Sequence, residues 1–533
     1  MYIDANDLDS KVMEADICII GAGCAGITMA KEFLNTGVKV LLLESGGFEY
    51  DDETQSLYEG ENVSLHNFDL ADTRLRYFGG STNHWGGMCR PLDEIDLVQR
   101  DGVHDVSWPI QFDELVPYYK RAHIVCQLGP YIYDDPYFWE KQPEFSPLLK
   151  ESDQLRTSLF QFSPPTRFGQ VYRDIFKESE NIDVILNANV LEVETDEQGK
   201  KITSVKAATL RKKYFSVKAK KFVIAMGGME SARLLLLSNK VQKNGLGNAN
   251  DLVGRYYMDH LDAWAGAIQL IYDMPIKSMY FDLRTHIASF PAAKFGALLT
   301  PTLSTLNDNK LSNFRFIISP AKTSKGIDSS KYIAHEMGAG HLPDNLGVHL
   351  KNVLSDIESV ANVGLKTVFN SQNDFFKVQP FSGKLVSKVT LDLNMEQIPN
   401  RNSRVMLSSE KDFFDQNRIK LDWQVTRDDQ FAALKAVEIL AAECGKYNIG
   451  RVFMPDSIKD GEVDFGISSH HIGTTRMADS ARTGVVNSDC KVHDIDNLFV
   501  SSSSVFPTSG WANPTLTITA LALRLADHLK KVL

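Results

Sequence analysis

The feature that most constrains this chain is a glycine-rich turn between two short apolar runs near its start. Asp16-Ile17-Cys18-Ile19-Ile20 reads as a buried strand and Gly21-Ala22-Gly23-Cys24-Ala25-Gly26 as the turn. Ile27 to Leu34 then reads as a helix and Val38 to Leu43 as a second buried strand. Strand, helix and strand in that order make a βαβ unit, which implies a parallel sheet with crossover helices. The turn matches G-x-G-x-x-G. Gly21 permits the tight bend, Gly23 lets backbone approach a pyrophosphate, and Gly26 lets helix and strand pack closely. Phosphates are then held at the positive end of the helix. Glu44, which closes the second strand 18 residues after Gly26, is placed to bind ribose hydroxyls. A dinucleotide site follows from that context, although the motif alone does not separate FAD from NAD.

The chain has 533 residues, too many for one ordinary core, so two domains are expected. Its formal charge of −11 argues against a nucleic-acid partner gripped through phosphates. The six cysteines, Cys18, Cys24, Cys89, Cys126, Cys444 and Cys490, show neither paired nor metal-type spacing. Met1 to Glu14 is acidic and polar, unlike a signal peptide, and no apolar run reaches membrane-spanning length. The expectation is a cytoplasmic protein without a membrane segment; export alongside a partner subunit is the alternative. Lys221 to Ala225 reads as another buried strand, followed through Met226-Gly227-Gly228 by a helix to Leu237. Asp428 to Cys444 and Leu516 to Leu529 carry helical periodicity.

A second glycine cluster, Arg74-Leu75-Arg76-Tyr77-Phe78-Gly79-Gly80-Ser81-Thr82-Asn83-His84-Trp85-Gly86-Gly87, suggests a loop pressed by its backbone against a flat ligand. Near the C-terminus stand Ser468-Ser469-His470-His471-Ile472-Gly473-Thr474-Thr475-Arg476-Met477, then Asn497-Leu498-Phe499-Val500, Ser504-Val505-Phe506-Pro507-Thr508 and Asn513-Pro514-Thr515. Together with Met226 to Arg233 and Val253-Gly254-Arg255-Tyr256, these blocks resemble the signatures of the glucose–methanol–choline (GMC) family of flavoproteins. The branch they most resemble contains pyranose oxidases and bacterial sugar dehydrogenases.

That resemblance implies an α/β protein, α+β overall. It would have an FAD-binding Rossmann-like domain with a parallel sheet and an inserted substrate domain on a mainly antiparallel sheet with helices. The expected division is 1–110, 181–260 and 460–533 for the FAD domain, and 111–180 and 261–459 for the substrate domain. The implied reaction is oxidation of an alcohol, on a sugar or sugar-like molecule (an amino sugar included), with hydride transfer to the flavin. Electrons then pass to oxygen or to another acceptor, a dehydrogenase being slightly favoured over an oxidase. Removing the hydroxyl proton needs a base, and a neutral histidine suits that role. By the family's H-x-x-G-T pattern the base falls on His470 and its partner on Asn513. His471 takes a supporting role, because neighbours on an extended segment point to opposite sides. Asn513 also reads as a helix cap before Pro514.

Cofactor contacts are implied for Gly21, Gly23, Gly26, Glu44, Arg76, Gly80, Ser81, Asn83, His84, Trp85, Gly86, Val190, Ala225, Ser504, Pro514 and Thr515. Non-covalent FAD is favoured over a covalent link through His84, because Asn83 interrupts the S-T-H-W order of pyranose oxidases. The chain departs from the family pattern at Ser501 to Ser504, at Met229-Glu230-Ser231, where asparagine is frequent, and at Ala478. An FAD-containing lyase of the same fold and a protein with purely structural FAD are the competing readings. His335-Glu336 with His341 lacks zinc-site spacing, and Asn62-Val63-Ser64 is a glycosylation sequon that matters only on secretion.

Overall fold

The computed structural model describes the chain except residues 10, 67, 135–146, 165, 276–277, 282–284, 288–289, 322–324, 339–341, 344 and 356–384. His341 lies outside the described residues, as do the side-chain surroundings of His335.

The βαβ unit forms as its apolar runs require. Val12–Ile20 and Val40–Leu43 pair in parallel, and the helix Cys24–Lys31 crosses between them. The sheet extends on one side through Ile182–Leu186 to Tyr2–Asp4, both parallel. On the other side Tyr214–Ile224 lies parallel to Val12–Ile20 and also pairs with Leu498–Val500, so the C-terminal region returns to this sheet. An antiparallel meander of Asn189–Thr195 and Ile202–Ala208 completes it through the first half of Tyr214–Ile224. Its central strands end in Ile17 to Ile20, Leu41 to Leu43 and Val223-Ile224, all fully or almost fully buried, as expected for a sheet covered on both faces. The strand Tyr2–Asp4 was not evident in the polar N-terminus. At an edge position of three residues, pairing with Ile182–Leu186 rather than local periodicity creates it.

The second large sheet is antiparallel throughout. Its main path runs Gly450–Phe453, Leu261–Pro275, Leu385–Met395, Phe314–Pro320, Phe290–Pro301, Leu155–Phe162, Met88–Cys89. Two segments cross the division expected from sequence. Met88–Cys89 lies within 1–110 yet pairs with Phe162 and Gln161 of the antiparallel sheet. Arg404–Lys411 and Asn417–Asp422, within 261–459, join Gly60–Asn62 in a separate three-stranded sheet. Both junctions depend on long-range pairing, which local pattern does not encode.

One large apolar core runs through both units. A small second cluster of Met88, Phe160, Phe162, Leu298 and Trp511, with Ile317 against it, lies apart from that core. Among the described residues no helix is long and apolar enough to cross a membrane.

Candidate active site

The parallel strands converge on one edge. Ile20, Leu43, Ile224 and Val500 end side by side, and the next residues interlock: Gly21 N donates to Leu43 O, Ala225 N to Ile20 O and Ser501 N to Ile224 O, at 2.7–2.8 Å. Ligands bind beyond the carboxyl ends of such strands. At this edge Gly21 has φ +103°, and an added Cβ would lie 2.6 Å from Ala225 O. At Gly26 a Cβ would lie 1.9 Å from Gly21 O. Gly23 differs, since a Cβ there meets no protein atom within 4 Å. It caps the helix Cys24–Lys31 without any side-chain hydrogen bond, which leaves the helix N-terminus open. Glu44 is drawn into the same corner, its Oε2 accepting from Ala22 N at 2.8 Å and its Oε1 from Gly46 N at 3.0 Å.

The Arg74–Gly87 loop covers this edge. Gly79 N donates to Ala22 O, and a Cβ on Gly80 (φ +53°) would reach 3.4 Å from Gly23 Cα. Beneath it lies a buried charge network that the sequence did not announce. Glu230 pairs with Arg74 at 3.0 Å, Arg233 at 3.3 Å and Arg76 at 3.7 Å. Burial acts to raise the Glu230 carboxyl, but Arg233, Arg74 and Arg76 outweigh it and hold it below the usual range. The signal was the departure from asparagine already noted at Met229-Glu230-Ser231. Arg76 Nε and Nη1 make no hydrogen bond within the protein, Nη1 having only the 3.7 Å ion pair with Glu230, and Arg76 lines a cleft with Asn189, Val190 and Met226. An open helix end, an uncrowded glycine, a pinned carboxylate and guanidinium N–H groups without a hydrogen bond together fit the phosphates and ribose of a dinucleotide.

The remaining candidates divide. Ser81, His84 and Gly86 are exposed, and His84 Nε2 lies 3.1 Å from Tyr77 Oη. Trp85 is half-buried, its Nε1 donating to Thr166 O. The Asn83 amide is used within the protein, donating to Phe78 O and accepting from Gly169 N. The Ser504 hydroxyl is likewise engaged, by Thr475 and Ser502, whereas the Ser501 Oγ is buried without a partner.

His470 and Asn513 come together where the two large sheets meet. Met258 and Ile472 form an antiparallel bridge, with reciprocal bonds of 3.0 Å. Continuing that register places His260 opposite His470, and their Nδ1 atoms lie 2.8 Å apart. Asp259 stabilises the turn, its Oδ1 accepting from the backbone N–H of His260 at 2.8 Å and His470 at 2.9 Å. Burial pushes that carboxyl up to about 8. Asn513 Nδ2 lies 3.4 Å from His470 Nε2, and Asn513 Oδ1 accepts from Arg315 Nη1 at 2.9 Å. The expected capping role of Asn513 is not taken. Pro514 is the N-cap of Thr515–Val532, with no side-chain capping bond, so the amide is free to face His470. His471 points the other way, towards Tyr257 at 6.0 Å between ring centroids, and its Nε2 is buried without a partner.

Burial, reinforced by His260, Arg315 and His471, lowers the His470 ring well below the usual imidazole range. Burial and Arg315 lower His260 to about 4; burial and Arg74 lower His471 to about 3. Neutral imidazoles therefore face one another here at neutral pH. Sequence reasoning missed His260 and Arg315; neither falls in a block that distinguished itself from ordinary strand sequence.

A family model described as GMC oxidoreductase matches residues 399–522. The fructose dehydrogenase large subunit of Gluconobacter japonicus is 26% identical, covering 98% of each chain. The chain is thus similar to GMC oxidoreductases, through the family match in its C-terminal part and through relatives that span nearly its whole length. Paromamine 6'-oxidase of Streptomyces fradiae is 24% identical over 96% of this chain and 90% of that protein. The crystal structure of pyridoxine 4-oxidase from Mesorbium loti superposes with a TM-score of 0.58 at 15% identity, covering 96% of this chain and 99% of the other. GMC oxidoreductases are FAD-dependent enzymes acting on CH–OH groups, and both dehydrogenases and oxidases occur among the relatives.

Proposed function

We propose that this GMC oxidoreductase oxidises a hydroxyl of a sugar or sugar-like molecule, amino sugars included, with His470 as base and Asn513 as its partner. The observation that carries the reading is the 3.4 Å approach of Asn513 Nδ2 to His470 Nε2, a weak hydrogen bond whose donor and acceptor can both turn to one substrate hydroxyl seated beside them. Bound FAD supplies the acceptor for the hydride. The demands on the protein are to orient the hydroxyl, take its proton and exclude water. Asn513 Nδ2 donates to the hydroxyl oxygen and His470 Nε2 accepts its proton. The depressed basicity of His470 keeps it free of a proton before substrate arrives.

The wall beside this pair supports a polyhydroxylated substrate. Strand register aligns Asp262, Asn394 and Arg315 in one row and Trp264, Asp392 and Ile317 in the next, all on one face. Ser468 Oγ donates to Asp262 Oδ2 at 2.5 Å, and Asn394 also donates to Asp262. Trp264 is 61% exposed beside these polar groups. Carboxylate, amide and hydroxyl next to an open aromatic ring suit a molecule with polar edges and apolar faces. The sugar and amino-sugar names among the relatives agree with this choice.

We further propose that Gly21, Gly23, Gly26, Glu44 and Arg76 hold the adenosine diphosphate part of FAD non-covalently. The Tyr77 hydroxyl beside His84 Nε2 supports a packing role for this ring over a covalent one. The test is an anaerobic absorbance scan against sugars, amino sugars and simple alcohols. Bleaching by sugars supports the proposal, and readmitted air distinguishes oxidase from dehydrogenase by the speed of colour recovery. Bleaching by simple alcohols alone overturns the substrate class.

A further inference from the structure

Histidine 470 has two ring nitrogens, and only an unprotonated one accepts a proton. Which nitrogen carries hydrogen in the neutral ring is set by the partners of both. The structure specifies those partners from two ends that share no residue.

At one end, His260 Nε2 lies 2.9 Å from Gly510 O. A carbonyl oxygen only accepts, so His260 carries its hydrogen on Nε2. The ring being neutral, its Nδ1 is a bare acceptor. That acceptor lies 2.8 Å from His470 Nδ1, so His470 donates from Nδ1. Its Nε2 is then the bare nitrogen. Gly510 is itself fixed, its N–H donating to Glu396 Oε1 at 3.0 Å.

At the other end, Arg315 Nη1 donates to Asn513 at 2.9 Å. Guanidinium only donates, so the amide oxygen of Asn513 faces Arg315 and its Nδ2 faces His470. An N–H donor directed at His470 Nε2 again requires that nitrogen to be bare. Both ends give the same tautomer.

We infer that Arg315, Asn513, His470, His260 and the Gly510 carbonyl form a one-directional hydrogen-bond chain, in which His260 and Arg315 are positioning residues that hold the free lone pair of His470 on Nε2, facing Asn513. Every link donates in the same sense, from the guanidinium to the carbonyl, so each polarises the next. The chain also deals with the charge that proton uptake creates. Once His470 holds a second proton, its Nδ1–H still points at a neutral acceptor, and the carbonyl dipole of Gly510 lies behind it. Arg315 acts from the opposite side, polarising the Asn513 amide towards the oxygen that loses its proton. Arg315 is 4% exposed and stacks over Trp511 at 5.4 Å. Asp262, two strands away in the same row, acts on this charge without pairing with it, so the direct donor contact of the guanidinium to Asn513 is kept for the chain.

The inference rests on the reading of His470 as base, but its first test does not depend on turnover. In holoenzyme labelled with ¹⁵N-histidine, the His470 ring at pH 8 should show a protonated Nδ1 and a bare Nε2, with His260 the reverse. The His470 signal is assigned by its loss in His470→Gln. A proton on His470 Nε2 would overturn the inference. In His260→Leu the pattern should change, and flavin reduction should fall roughly 10–100-fold with a much smaller change in KM. His260→Gln, which retains an acceptor and a donor, should recover most of the rate. Wild-type rate, pH profile and ring signals in a His260→Leu protein that still holds FAD would also overturn it. If that variant does not fold, the wild-type ring signals and the His260→Gln rate decide the matter. Undiminished bleaching in His470→Ala beside the expected ring pattern would refute the base assignment while leaving the chain intact.

Discussion

Replacing Gly23 with alanine separates the fold of the glycine turn from its ligand. The residue has φ −79° and ψ −168°, a conformation alanine adopts without strain, and the new Cβ meets no protein atom within 4 Å. The cost to the protein is that of alanine in place of glycine at a helix N-cap, about 1 kcal/mol or less. For a chain of this size that lowers the melting temperature by only about a degree. A pyrophosphate bound at the helix end would meet the added methyl directly. Overpacking by one methyl costs roughly 1–3 kcal/mol, equivalent to about a five- to 150-fold weaker Kd for FAD. Gly26→Ala is the control for the opposite case. Its Cβ would lie 1.9 Å from Gly21 O, so folding should suffer whether or not FAD is present. The assays are calorimetric FAD titration of stripped protein and thermal unfolding in saturating FAD. A Gly23→Ala protein that binds FAD as tightly as the parent would refute the reasoning that this turn cradles phosphates.

Three further outcomes are expected. His470→Ala should slow anaerobic flavin reduction by about 10²–10⁴-fold with FAD retained, and the parent rate should stay flat with pH through and above the ordinary imidazole range, measured by stopped flow from pH 5 to 9. Because burial holds Asp259 at about 8, above its unfolded value, the stability it contributes is complete below pH 3.8 and is lost as pH rises towards 8. Asp259→Asn, which still accepts the same backbone bonds through its amide oxygen, should therefore flatten the fall in stability across that window, read from denaturant midpoints. Glu230→Gln leaves Arg74, Arg76 and Arg233 without their shared anion, so stability should drop by roughly 3–5 kcal/mol, and an unchanged unfolding midpoint would count against the network.

The local elements were legible because their causes are local. The run Ile17 to Ile20, the turn Gly21 to Gly26 and the strand ending before Glu44 required only apolar patterning and glycine's tolerance of positive φ. Strand ends were longer than their apolar cores suggested: Val12–Ile20 and Tyr214–Ile224 begin in polar sequence, held there by pairing with each other. His470 and Asn513 were found through motif blocks, and they lie near each other in the fold. The alternative of Asn513 as a cap was equally open in sequence and was decided by the guanidinium of Arg315.

What the sequence by itself determined is the glycine turn with the strand and helix that flank it, and the histidine block, all carried by residues a few positions apart. What only the tertiary structure decided is the company these residues keep. His260 is 210 positions from His470, Arg315 is 198 from Asn513, and Arg74 is 156 from Glu230. Each pairing depends on strand register and on how one sheet packs against the other, and a shift of one residue would turn the side chain to the opposite face. Periodicity reports which face of an element is buried, whereas the charge and hydrogen-bond partner waiting on that face come from a distant segment.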